Sequence, residues 1–229
     1  YSSMISKFAE YDFTMFNIQT LMNDMNSGLQ DGIEKTILDL FDKMSAKFAY
    51  IPEMESNIHL YNGWKTNKAH KVGKKVILPC NGAFSDWKWD KNPLNVYNCV
   101  ELLSDMQKAL NYLDGGQTDD INLNVAITKA RDECNYKKID TKYFYVTFYK
   151  KGTMHCVWKN EELLKRFNIY VSKRRNWFPP CYGNKHYNDM TEEEKQVIDS
   201  FQGADDYEKI MRNPSYYLST NTNLLQLGE

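Results

Sequence analysis

Apolar side chains recur at helical spacing over the first fifty residues. Met4, Ile5, Phe8, Phe13, Phe16, Leu21 and Met25 predict a helix over residues 3–27. Leu29, Ile33, Ile37, Leu40, Phe41, Met44 and Phe48 then step by three or four and define a second, cleaner stripe. Gly28 falls between them, which predicts a break and an antiparallel helical hairpin over residues 1–50. Residues 51–97 change character to a basic, aromatic loop region with Pro52, Pro79 and Pro93 as breakers, and only Lys75, Val76, Ile77 and Leu78 read as a strand.

Helical spacing resumes in residues 98–135. Asn98 with Glu101 reads as a capping-box start, with Val100, Leu103, Met106, Leu110 and Leu113 on one face and Gly115-Gly116 as the stop. A further helix is expected from Thr118 through Ile121, Val125 and Ala126 to Cys134.

Period-two alternation is strongest over residues 142–149, where Tyr143, Tyr145, Thr147 and Tyr149 interleave with Phe144, Val146 and Phe148. Lys150-Lys151-Gly152-Thr153 makes a tight turn, and residues 154–159 return as a partner strand. Because both faces of the first strand are aromatic, one is expected on the core and the other under a helix or a partner. Residues 161–168 read as a short helix and 171–188 as a loop anchored by Pro179, Pro180 and Gly183. Thr191 with Glu194 forms a capping box for a helix to Phe201, residues 205–212 form a last helix, and the Asn/Thr-rich tail is expected to be loosely held. The fold class is α+β: a single, mostly helical domain with a central antiparallel β-hairpin or small sheet, in which residues 142–170 supply the hairpin plus a helix.

At 42% hydrophobic and 14% aromatic, the 229 residues contain enough apolar surface for a core. No window approaches the ~18 apolar residues of a membrane span. The first residues, Tyr1-Ser2-Ser3-Met4, lack the basic and apolar regions of a secretory signal and an initiator methionine. The expectation is a cytoplasmic protein, with no membrane partner, that is a piece of something longer. Five cysteines at 80, 99, 134, 156 and 181 are widely spaced and odd in number, which reads as reduced, mostly buried thiols.

The net charge of −1 conceals segregation. Residues 1–60 carry −5, 61–92 carry +5, 93–135 carry −4, 136–187 carry +9 and 188–229 carry −6. Within the basic blocks, Lys65, Lys68, Lys71, Lys74 and Lys75, and Lys173, Arg174, Arg175, Trp177 and Lys185, lie among tyrosines, tryptophans and histidines. Cations neutralise phosphates and rings stack on bases, so these ten residues are the candidate nucleic-acid-binding set, for DNA or RNA. The alternative is that basic and acidic segments attract each other within the fold, or meet another protein.

Signatures of chemistry are sparse. Phosphate-loop and dinucleotide glycine patterns are absent, and the four histidines form no helical metal pair. No cofactor, metal site or catalytic residue is assigned. Trp177-Phe178-Pro179-Pro180-Cys181-Tyr182 has the Pro-Pro of an adenine methyltransferase site but neither its polar nor its aromatic partner, and reads as a rigid turn. His155 and Cys156 are strand neighbours that point to opposite faces, so they cannot form a dyad. Asp140-Thr141-Lys142, with Asp132 and Glu133 upstream, has the Asp-x-Lys spacing of a Mg²⁺-dependent nuclease, a short pattern common by chance.

Residues from about Tyr97 to Tyr207 resemble a phage and mobile-element family, domain of unknown function 4942. The resemblance is carried by residues 109–116 (ALNYLDGG), the hairpin 143–158 with its Lys-Lys-Gly turn, 163–168 (LLKRFN), Trp177 to Pro180 with Tyr182-Gly183, and 197–201 (VIDSF). It implies a module often placed carboxy-terminal to a methyltransferase domain, and it brings no catalytic residue with it. The combined expectation is a non-catalytic accessory or binding module, nucleic-acid associated. Its rivals are a protein-interaction module engaging a host defence or replication protein, and the nuclease.

Overall fold

A computed structural model of the chain describes residues 15–45, 71–85, 93–176 and 178–212. The chain divides into two compact units, residues 1–36 and 37–229. In the first, the described part is helical throughout and belongs to α1 (Met15–Met44), with the Thr36 hydroxyl donating to the Gly32 carbonyl at 2.8 Å.

The expected break at Gly28 is corrected: α1 runs through it without interruption, so the described residues form one long helix and no hairpin. A single interior glycine costs only ~1 kcal/mol, and Gly28 is not among the glycines with left-handed φ. Nothing local obliges the helix to stop there. Expectations for residues 3–14, 46–70 and the tail beyond 212 lie outside the described residues.

The second unit is built on a four-stranded antiparallel sheet in the order β1-β4-β3-β2: β1 (Lys75–Pro79), β2 (Ile139–Asp140), β3 (Phe144–Tyr149) and β4 (Thr153–Trp158). The expected hairpin is therefore present, widened by an edge strand on each side. Phe144 lies opposite Trp158, Val146 opposite Cys156 and Phe148 opposite Met154. On the outer strands, Val76 and Leu78 join the same face through Cys156 and Met154, and Ile139 joins it through Val146. All of these side chains are buried. Since alternate strand residues share a face, this one is the core face.

Three further helices cover or flank it: α2 (Val96–Asp114), α3 (Leu123–Asp132) and α4 (Glu161–Arg174). A run of rings joins sheet to helices, with centroids 4.8 Å apart for Phe144–Trp158, 5.6 Å for Trp158–Phe167 and 5.7 Å for Phe167–Phe41. Each such buried ring contributes roughly 2–3 kcal/mol. The carboxy-terminal end of α1 takes part through Ile37, Phe41 and Met44, all fully buried.

Helix limits follow side-chain caps. α2 starts earlier than the Asn98/Glu101 pattern suggests, because Asn95 is the cap and its side chain accepts from the Asn98 amide. Its end is as expected, with Gly115 in the left-handed region at φ 64°. α3 starts at Leu123 rather than Thr118. Asn122 caps it, while Thr118 is drawn back to the buried Asp114 carboxylate through its amide and hydroxyl. α4 runs six residues beyond the expected end at Asn168, as Ile169, Tyr170 and Val171 are buried and continue its apolar side.

Two last helices, α5 (Glu192–Phe201) and α6 (Ala204–Arg212), enclose a second cluster of Ile169, Tyr182, Met190, Ile198 and Tyr207. The Thr191/Glu194 capping box is present. Backbone amide and Cys181 and Lys185 side-chain contacts hold the Glu194 carboxyl down at about 2. The Tyr207 hydroxyl accepts from the Gly183 amide and donates to the Lys185 carbonyl, which fixes the turn after Pro180. Phe178 stacks on Tyr182 at 4.1 Å and 6°. The Pro-Pro segment is a packed turn, as its sequence suggested.

A side-chain clamp ties the chain leading into β1 to α4. Asn168 Oδ1 accepts from the Val72 amide at 2.6 Å, and Asn168 Nδ2 donates to the Val72 carbonyl at 3.0 Å. The side chain thus imitates a strand partner where no strand lies. Asn168→Ala would leave two buried backbone groups of Val72 unsatisfied, at ~1–3 kcal/mol each. Urea unfolding of Asn168→Ala is expected to show a loss of about 3 kcal/mol with unchanged m; a loss under 1 kcal/mol would show that water replaces the clamp.

Candidate nucleic-acid interface

The ten cations and rings singled out from sequence do not share one environment. Lys65, Lys68 and Trp177 lie outside the described residues. Lys71 Nζ donates to the Ser200 carbonyl at 3.0 Å. Lys74 is bonded to the Glu161 carboxylate, Arg175 to Asp42 at 2.6 Å, and Lys185 to Glu194 at 3.3 Å. The Arg174 guanidinium lies 5.6 Å from the Tyr170 ring centroid. Lys173 is exposed in the last turn of α4, and Lys75 is half-buried on β1.

The Lys173-Arg174-Arg175 run is therefore the end of a helix rather than a loop. There, cations also face the helix's carbonyl end favourably. Three of the described cations already meet carboxylates of α1, α4 and α5, so binding a phosphate through them would first cost those pairs.

A second basic grouping surrounds the β3–β4 hairpin. Residues 136–159 contain six lysines and one carboxylate, Asp140. Lys142 is buried and pairs with Asp120 at 2.6 Å. Lys159 Nζ is held by Asp140 at 2.7 Å and by the Thr141 carbonyl at 3.0 Å. Lys137, Lys138, Lys150 and Lys151 are exposed and make no ion pair among the described residues. Lys150 and Lys151 form the hairpin turn. Lys138 sits beside β3, where its amide donates to Thr147 Oγ1 at 3.0 Å and Tyr136 accepts from the Phe148 amide.

The second face of the sheet carries Lys75, Val157, Tyr145 and Asp140 in one row across the strands. Ile77, His155 and Thr147 form the next, and Pro79, Thr153 and Tyr149 the third. Tyr145 and Tyr149 are 44% and 38% exposed, so this face is not wholly covered as the sequence pattern suggested. Lys159 lies over the Tyr145 ring at 5.4 Å, and the His155 ring lies against Tyr149 at 4.3 Å. The sequence pattern places one face on the core and the other under a helix or a partner; the signal for the exposed rings is their strict alternation with Phe144, Val146 and Phe148 next to a Lys-Lys turn.

Asp140 and Lys142 do not converge, since each is bonded to a different partner, while Asp132 pairs with Arg131 and Glu133 with Lys129. Among the described residues no three His, Cys, Asp or Glu side chains gather as a cation site. None of the five cysteines forms a disulfide; Cys80, Cys99 and Cys156 are buried. His155 and Cys156 do project to opposite sides. No described helix is long and apolar enough to cross a membrane.

These features define an α+β protein whose helices cover one side of a small antiparallel sheet. Residues 1–177 match the family Domain of unknown function (DUF4942), and the chain belongs to it. The match takes in the amino-terminal half as well as the hairpin, and ends before the Pro-Pro turn. No curated protein and no solved structure matches the chain.

Burial, and then the nearby Lys75 charge, lowers the His155 pKa to about 4 from an ordinary 6.5. The unfolded chain therefore binds more protons than the folded one between those values. His155 contributes stability that is complete above about pH 6.5 and declines as pH falls toward 4. Lowering the pH from 7 to 5 is expected to cost the wild type on the order of 2 kcal/mol in urea unfolding, a decline that His155→Phe flattens. Parallel pH profiles for the two proteins would contradict this.

Proposed function

We propose that this chain is a nucleic-acid-associated binding module of a phage or mobile-element protein, working beside a methyltransferase or related enzyme rather than performing catalysis itself. The observation that supports this reading most is the set of four exposed lysines, 137, 138, 150 and 151, without carboxylate partners among the described residues. Other exposed cations among the described residues, such as Lys74, Lys108, Lys129 and Lys209, are matched by acidic side chains. Phosphates attract unmatched lysines without first breaking an internal pair, and release counterions when they bind. The cations singled out by composition, Lys71, Lys74, Lys75, Lys173, Arg174, Arg175 and Lys185, then extend the field rather than form the contact.

Binding of labelled single- and double-stranded DNA and RNA, followed by anisotropy between 50 and 200 mM salt, tests the proposal. The wild type is expected to bind with a steep negative salt slope. Replacing Lys137, Lys138, Lys150 and Lys151 with Glu is expected to weaken binding at least tenfold and to reduce the slope by about 3, at roughly 0.7–0.9 per phosphate contact. Wild type that retains no nucleic acid at low salt would overturn the reading and favour docking to an acidic protein surface.

A further inference from the structure

We infer that the sheet face turned away from the core is a stacking platform for single-stranded nucleic acid, with Tyr145 and Tyr149 as the base-contacting rings. This rests on the binding role proposed above and specifies the ligand. Tyrosine is a good strand former, so its presence on β3 alone carries no message. The arrangement around the two rings does.

Of the four large apolar or aromatic side chains exposed among the described residues, two lie on this one face: Tyr145 and Tyr149, with Tyr97 and Val125 elsewhere. They are four residues apart on one strand, and so ~13 Å apart along it. Each ring is braced from one side. The Lys159 ammonium lies over Tyr145 and is itself anchored by the Asp140 carboxylate and the Thr141 carbonyl. His155, kept neutral by burial, lies against Tyr149. Rings held in this way lose little freedom when a planar group settles on them.

Between them the face is covered, so the two rings are separate contact points. Ile77 and His155 are buried, and the Thr147 hydroxyl already accepts from the Lys138 amide. Recognition by the two rings is by stacking and is tolerant of sequence.

Charge surrounds the same rings. Lys75 shares the Tyr145 row across β4, Lys150 and Lys151 follow Tyr149 directly, and Lys138 borders β3. The only carboxylate in the hairpin segment, Asp140, is bonded to Lys159. A polyanion bearing exposed π-faces matches this combination. A duplex offers its phosphates but conceals its base faces in the stack, whereas a single strand offers both.

The test compares a 12-nucleotide oligothymidylate with a hairpin-capped 12-base-pair duplex, using the full chain. Replacing Tyr145 and Tyr149 by Leu keeps bulk on the strand and removes the π-face; replacing both by Phe keeps it. The Leu pair is expected to weaken single-strand binding by about tenfold per ring, with the duplex and the salt slope unchanged. The Phe pair is expected to stay within about twofold of wild type. Equal single-strand binding by wild type and the Leu pair, with binding still lost in the four-lysine variant, would overturn the stacking platform and leave the nucleic-acid role standing. No binding by wild type to either probe would overturn both. Circular dichroism melts of every variant identify folding loss; if the Leu pair melts early, the single Tyr149→Leu and Tyr145→Leu proteins decide.

Discussion

The register of β3 against β4 is the constraint from which the rest of the second unit follows. Phe144 opposite Trp158 and Phe148 opposite Met154 commit one face to the core, where the ring series continues through Phe167 to Phe41. A slip by one residue would send these side chains outward and bring Tyr145, Thr147 and Tyr149 inward, with polar hydroxyls and no prepared partners. The tight turn at Gly152, whose φ of 79° suits glycine, fixes that register from one end. The Lys159 amide bonded to the Tyr143 carbonyl fixes it from the other. Once the register is set, the second face necessarily collects tyrosines and lysines.

Electrostatics arranges the surface around this sheet by a simple rule. Carboxylates on α1, α4 and α5 lie within reach of the basic segments and pair with them, as in Asp42–Arg175, Glu161–Lys74 and Glu194–Lys185. Exposed pairs of this kind contribute little to stability, since water screens them and two side chains must be ordered. Their effect is on availability. They make a near-neutral chain present only part of its positive charge, and among the described residues four of the unmatched lysines lie around the hairpin turn and the approach to β2.

Secondary structure was legible wherever a pattern had a strong local cause. Alternation over residues 142–149, the Thr191/Glu194 cap, the Gly115 stop and the Lys-Lys-Gly-Thr turn each act within a few residues, and each appears in the structure. Errors arose where a weak local signal was outweighed, by the helix itself, by a near neighbour or by a distant contact. Gly28 has a small helical penalty that a long helix absorbs. Asn168 resembles a helix end, but its amide is used to hold Val72, almost a hundred residues away, and α4 continues past it. Thr118 resembles a cap but is bonded backward to Asp114.

The sequence by itself determined an α+β chain, the positions of most helices and of the central hairpin, and the presence of basic, ring-rich segments. These depend on periodicity and on interactions between near neighbours. Tertiary structure alone decided which cations remain unmatched and which tyrosines stay exposed, because each depends on groups brought together from distant parts of the chain. Lys74 meets Glu161 and Arg175 meets Asp42 only once the sheet and helices are assembled. Composition counts such charges equally; folding determines which of them a ligand can reach.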